Sequence, residues 1–174
     1  MLFRSVSQAA GNAPGSSPEN LLVIVVPRHP QRFDDVARWA DARRSRGEIP
    51  EGRHRIYLGD TMGEMAFYFA AADVAVIGGS FASFGGQNLI EALAVGTPVV
   101  AGPSMFNFAE ATRVAVKAGA AIQAPDALSA IRLSLSLLLD TDKRRRMSAA
   151  GRALCEAHRG ATERHLQACL KLLR

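Results

Sequence analysis

Residues 74–103, VAVIGGSFASFGGQNLIEALAVGTPVVAGP, constrain the fold more than any other stretch: an apolar strand, two glycine pairs, a helical segment and a second strand follow without a break. Val74 to Ile77 is a continuous apolar run, the pattern of a parallel strand covered on both faces, and it leads directly into Gly78-Gly79-Ser80. Gln87 to Ala94 carries Leu89, Ile90, Leu93 and Ala94 at helical spacing, which predicts one face on a sheet and leaves Glu91 turned elsewhere. A βαβ unit with glycines at its first turn lets a ligand approach the backbone closely. Helix N-termini expose unpaired N–H groups and partial positive charge, so Gly85, Gly86 and Gln87 are candidates to hold a phosphate. Glu91, one turn in, could then accept from two ribose hydroxyls.

The plainer reading is a tight turn, since Gly-Gly after a strand commonly makes one. Two glycine pairs together with Ser80 and Asn88-x-x-Glu91 favour a ligand. Neither the GxGxxG dinucleotide fingerprint nor the GxxxxGK[ST] phosphate loop occurs in the chain, which points to a nucleotide of another type.

With 174 residues, 48% of them apolar, the chain is the size of one domain with a sizeable core. Its net charge of +5 comes from scattered arginine and from Lys143-Arg144-Arg145-Arg146, the pattern of a solvated helix face. Nucleic acid is not expected as a partner, because only 6% of residues are aromatic and no RNA-binding or zinc-finger pattern is present. A basic surface suits an anionic membrane or an anionic substrate, and composition does not separate the two. Cys155 and Cys169 lack a C-x-x-C or histidine spacing, so free thiols are expected and neither a metal nor a cofactor is implied. No run approaches the roughly 20 apolar residues of a spanning helix. Residues 1–20, rich in Gly, Ser, Pro and Asn, read as a poorly ordered lead-in, with the domain covering 21–174.

Along the chain, Leu21 to Val26 predicts a strand stopped at its carboxyl end by Pro27-Arg28-His29-Pro30. Ligands of open α/β sheets bind at that end. Arg28 and His29, fixed between prolines, suit a phosphate or carboxylate; a stiff turn with two solvated side chains explains them equally well. Phe33 to Arg46 reads as an amphipathic helix with Trp39 in the core. Arg55 to Leu58 is a strand, and Thr61 with Glu64 reads as a capping box opening a helix from Met62 to Ala71. His54 is placed in solvent at the strand edge. Val99 to Ala101 and Ala120 to Gln123 complete five strands. Asn107, between two phenylalanines, either caps the helix Ala109 to Ala118 or meets the ligand, with capping preferred. Three helices close the chain. The alternation predicts an α/β fold, one Rossmann-like parallel sheet with flanking helices and its informative loops along one edge.

Five motifs in order, PRHPQRF (27–33), LGDTMGEM (58–65), AAADVAVIGGSF (70–81), GGQNLIEALAVGTPVVAGP (85–103) and FNF (106–108), resemble the carboxyl-terminal half of bacterial 3-deoxy-D-manno-octulosonic acid (Kdo) transferases. The resemblance spans Leu21 to about Leu173. It implies one half of a two-Rossmann (GT-B type) glycosyltransferase, the half that binds the donor CMP-Kdo for transfer to lipid A precursor in lipopolysaccharide biosynthesis. It further implies a donor-nucleotide site of Arg28, His29, Gly79, Ser80, Gly85, Gly86, Gln87, Asn88, Glu91 and Asn107, with no catalytic residue in this chain. Gln87 stands where the family usually has histidine, and Leu89 where it usually has proline. The acceptor half, with its base and membrane anchor, has no counterpart here, so the chain reads as a fragment or degenerate copy that needs that half for activity. The expected location is the cytoplasm or the cytoplasmic face of the inner membrane. The competing expectation is a non-catalytic nucleotide-binding module.

Overall fold

The computed structural model of the chain describes residues 1–5 and 21–172. Its centre is a seven-stranded sheet whose elements run β1 (Leu2–Ser5), β2 (Leu21–Val25), α1 (Phe33–Ala37), β3 (Ala42–Arg43), β4 (Ile56–Leu58), α2 (Met65–Ala71), β5 (Val74–Ile77), α3 (Ile90–Val95), β6 (Val99–Ala101), α4 (Ala109–Lys117), β7 (Ala121–Gln123), α5 (Ala127–Leu139), α6 (Thr141–Ala157) and α7 (Ala161–Leu172). The spatial order is β3-β4-β2-β1-β5-β6-β7. β2, β4 and β3 are parallel, as are β5, β6 and β7. β1 runs antiparallel to both β2 and β5, which therefore point the same way. Six strands thus end at one edge.

Alternation along the strands divides the core in two. Leu22, Ile24, Ala75, Ile77, Val99 and Ala101 face a cluster closed by Tyr68 and Phe69 of α2, Ala92 and Leu93 of α3, and Ala115 of α4. Val74, Val76 and Val100 face the opposite cluster, under Ala130, Leu137 and Leu138 of α5 and Met147 of α6. β5 and β6 are buried on every residue, as their unbroken apolar runs require. Gly151 lets α6 cross close over α3: a Cβ there would stand 3.2 Å from the Leu93 carbonyl oxygen.

Four expectations change. Leu2–Ser5 is not lead-in but a strand in the middle of the sheet, with Leu2 opposite both Ile24 and Ala75 and 1% exposed; the rest of that stretch, 6–20, lies outside the described residues. The helix expected over Phe33 to Arg46 ends at Ala37, after which the chain extends into β3 and a 3-10 turn, Arg44–Arg46. Asp41 causes the change: its carboxylate accepts from the N–H groups of Arg55 and Ile56 at 2.8 and 2.9 Å, which draws the segment alongside β4. Trp39 is left 70% exposed rather than in the core. The expected capping box is also absent, since α2 begins at Met65 with no side-chain cap.

Candidate functional site

The carboxyl edge gathers the turns that follow β2, β4, β5 and β6. After β5 the chain makes a 3-10 turn, Gly78–Phe81, in which Ser80 is fully buried. Its hydroxyl donates to the Ile77 carbonyl and accepts from Gly102 N–H at 2.6 Å, and Ser104 N–H donates to the Ser80 carbonyl at 2.9 Å. The side chain is therefore committed to tying the ends of β5 and β6 together. Gly102 is required by the same contact, because a Cβ there would stand 2.5 Å from the Ser80 carbonyl oxygen.

Gly85 and Gly86 both have φ of +74°, a region that favours glycine. Both are buried under the turn Met105–Asn107: a Cβ on Gly85 would meet the Asn107 amide at 2.4 Å, and one on Gly86 the Met105 sulfur at 2.2 Å. Asn107 N–H donates to the Gly85 carbonyl at 3.2 Å, and its Nδ2 donates to the Phe84 carbonyl at 3.1 Å. Asn107 thus joins two loops instead of capping α4, which begins without a side-chain cap. α3 itself begins only at Ile90, so Gly85, Gly86 and Gln87 form a turn ahead of the helix and not its first residues. Asn88 leads into it: its Oδ1 accepts from Ile90 N–H and its Nδ2 donates to Glu91 Oε1, each at 3.0 Å. The exposed Glu91 carboxylate is held by this contact at the turn, while Ala92 and Leu93 are buried. The N–H groups of Gly86 and Gln87 have no acceptor among the described residues, and Gln87 Oε1 accepts from Gly79 N–H at 3.4 Å.

Arg28 and His29 follow β2, both exposed. His29 is extended and opens a 3-10 turn, Pro30–Arg32, whose closing N–H, Arg32, donates to the His29 carbonyl at 2.9 Å. Arg28 has no acidic partner among the described residues. His54, expected in solvent, is half-buried and accepts at Nδ1 from Glu51 N–H at 3.1 Å.

Two polar networks at the end of β4 escaped the sequence reading. Asp60 is buried and accepts from Ser45 N–H (2.8 Å), Ser45 Oγ (2.7 Å) and Arg43 Nε and Nη2 (2.8 Å each). Burial alone would raise its pKa, but the Ser45 and Arg43 bonds outweigh burial and bring it below the usual carboxylate value. Alongside, Arg44 makes a bidentate pair with Glu64, with contacts from 2.6 to 3.2 Å, and Thr61 Oγ1 donates to Glu64 as well. These bonds, the Arg44 bond foremost, lower the Glu64 pKa from 4.5 to about 2. The Thr61–Glu64 spacing was the visible signal; its physical use is an ion pair with an edge turn and not a helix cap.

A hollow of about 430 Å³ lies between the 106–108 turn, α4 and the end of β7, lined by Met105, Phe106, Thr112, Arg113 and Gln123 among others. Arg28, Gly79, Gln87 and Glu91 lie outside it, on the open part of the edge.

The family described as glycosyl transferases group 1 matches residues 45–154, which include every turn of this edge except the one after β2. The chain belongs to the group 1 glycosyl transferases. Among members of known sequence, it is 55% identical over 154 residues to the 3-deoxy-D-manno-octulosonic acid transferase of Bordetella pertussis and 36% identical over 154 residues to that of Haemophilus influenzae. Each alignment takes in 84% of this chain and 36% of the relative, so the chain spans about a third of the length of these glycosyl transferases. Among solved structures, the crystal structure of the C-terminal CMP-Kdo binding domain of WaaA from Acinetobacter baumannii superposes with a TM-score of 0.71 at 32% identity, over 75% of this chain and 71% of that one. The resemblance read from the five motifs and the Rossmann-like, GT-B-type fold expected from it both hold. Among the described residues no helix is long and apolar enough to cross a membrane.

Proposed function

We propose that this chain is the donor-binding half of a Kdo transferase and holds CMP-Kdo along the carboxyl edge of its sheet. The observation that carries the reading is the 32% identity, over 75% of the chain, to a solved domain described as CMP-Kdo binding. The edge supports it chemically. Arg28 offers a guanidinium with no acidic partner among the described residues, suited to a phosphate. Gly86 and Gln87 offer backbone N–H groups with no described acceptor, and Glu91, steadied by Asn88, offers a carboxylate to ribose hydroxyls. Gly79, Gly85 and Asn107 shape the surface between them, Ser80 acts by fixing β5 to β6, and His29 directs the Arg28 turn.

Transfer of the sugar to a lipid A precursor needs a general base for the acceptor hydroxyl and stabilisation of the departing nucleotide phosphate. Arg28 and the Gly86–Gln87 N–H groups serve the second need. The base, the acceptor groove and the attachment to the cytoplasmic face of the inner membrane belong to an amino-terminal half. Without that half the donor contacts one side of a cleft, so its binding is weak. Calorimetry with CMP tests the reading: binding in the high micromolar to millimolar range is expected, stronger than that of cytidine. No binding at millimolar CMP would overturn it, and turnover of CMP-Kdo by this chain alone would overturn the need for a second half.

A further inference from the structure

One side chain joins the two glycine turns of the edge. Gln87 reaches back from the second turn onto the first, where its Oε1 accepts from Gly79 N–H at 3.4 Å. A Cβ built on Gly79 would lie 2.4 Å from Gln87 Nε2, so the carboxamide rests directly on the backbone at the end of β5. Both residues are only half-buried, on the open side of the edge. The bond is longer than the usual range for N–H···O and its acceptor is neutral, which makes it weak. An ionised oxygen accepts from such an N–H about twice as strongly.

We propose that the Gln87 carboxamide is a displaceable cover on the Gly79 N–H, yielding that donor to an anionic oxygen of the bound nucleotide. The inference rests on the reading of this edge as a nucleotide phosphate site and adds to it a residue that sets how strongly phosphate is favoured. Because the cover competes for one N–H, it lowers apparent affinity for the phosphate-bearing ligand by the fraction of molecules in which it is closed. A nucleoside has no group to claim that N–H and is unaffected.

Titrations of the full chain with CMP and with cytidine, followed by amide NMR and calorimetry, test this. In the unaltered protein CMP is expected to move the Gly79 amide resonance and cytidine to leave it in place. Gln87→Ala is expected to bind CMP severalfold more tightly with cytidine affinity unchanged. Gln87→Glu, whose carboxylate holds the N–H more firmly and repels phosphate, is expected to bind CMP at least tenfold more weakly, again with cytidine unchanged. Weaker or unaltered CMP binding by Gln87→Ala would overturn the cover. A Gly79 resonance that CMP leaves in place overturns it in the unaltered protein, whatever the variants do. If cytidine and CMP both bind but Gly79 stays still, only the cover falls; if neither binds, the nucleotide reading falls with it.

Discussion

At Gly86 a hydrogen in place of a methyl decides whether two loops can meet. Its φ of +74° and the Met105 sulfur 2.2 Å from where a Cβ would sit act together, so Gly86→Ala incurs both a left-handed backbone and an overpacked contact. At about 1–2 kcal/mol for the first and 1–3 for the second, the loss is roughly 2–5 kcal/mol. Gly63, with φ of +81° and nothing within 4 Å of its Cβ position, separates the two effects. Gly63→Ala is expected to lower stability by only about 1–2 kcal/mol. Denaturant unfolding of both variants measures the difference, and equal losses would mean that Met105 readily gives way. Five residues beyond Gly86, Glu91 has a different kind of task. If it accepts from both ribose hydroxyls, bonds to a charged group of about 1.5–3 kcal/mol make Glu91→Gln bind CMP tenfold or more weakly. The unaltered chain should then prefer CMP to 2′,3′-dideoxy-CMP and the variant should lose most of that preference; an undiminished preference would remove Glu91 from the ribose site.

At the scale of elements, strand identity was legible where burial is two-sided. β5 and β6 are apolar runs with no polar alternative, and the sequence places them to the residue. The Phe33–Arg46 segment was not legible, because Phe33, Val36, Trp39 and Ala40 mimic a helical stripe while the deciding bonds reach Asp41 from Arg55 and Ile56, 14 and 15 residues further on. Local periodicity carries no trace of such a contact. Likewise Thr61 and Glu64 have the spacing of a cap, and only the fold brings Arg44 to them. That pairing predicts a pH response. The Glu64 pKa falls from 4.5 to about 2 on folding, so between these values the unfolded chain binds more protons. The ion pair's contribution is complete above about pH 4.5 and is lost as pH falls toward 2. Melting temperatures across that window should decline less for Glu64→Gln than for the unaltered chain, and parallel declines would show that Glu64 titrates normally. The edge was legible in part for the same reason: the glycine pairs announce its turns locally, whereas the burial of Ser80 and the Asp60 network depend on strands meeting in space.

For the molecule as a whole, the five motifs were enough to anticipate the fold, but not the strand at its centre. Leu2–Ser5 offers too short a run to stand out, and its worth comes from neighbours on both sides. Leu2, 1% exposed between β2 and β5, tests this: Leu2→Asp buries an unpaired carboxylate in the middle of the sheet and should abolish cooperative melting. A melt within a few degrees of the unaltered chain would show that β1 is dispensable. If β1 is needed, the order of events in folding is constrained. Leu2 is made well before its partner Ala75, and the slot between the two parallel halves does not exist until β5 has been synthesised. Closing so long a loop is slow, because its entropy is lost before the pairing can compensate. β1 is thus fully seated only after β5 is made, and until then the β1–β2 pair and β5 each present an unpaired edge to whatever chain is nearby.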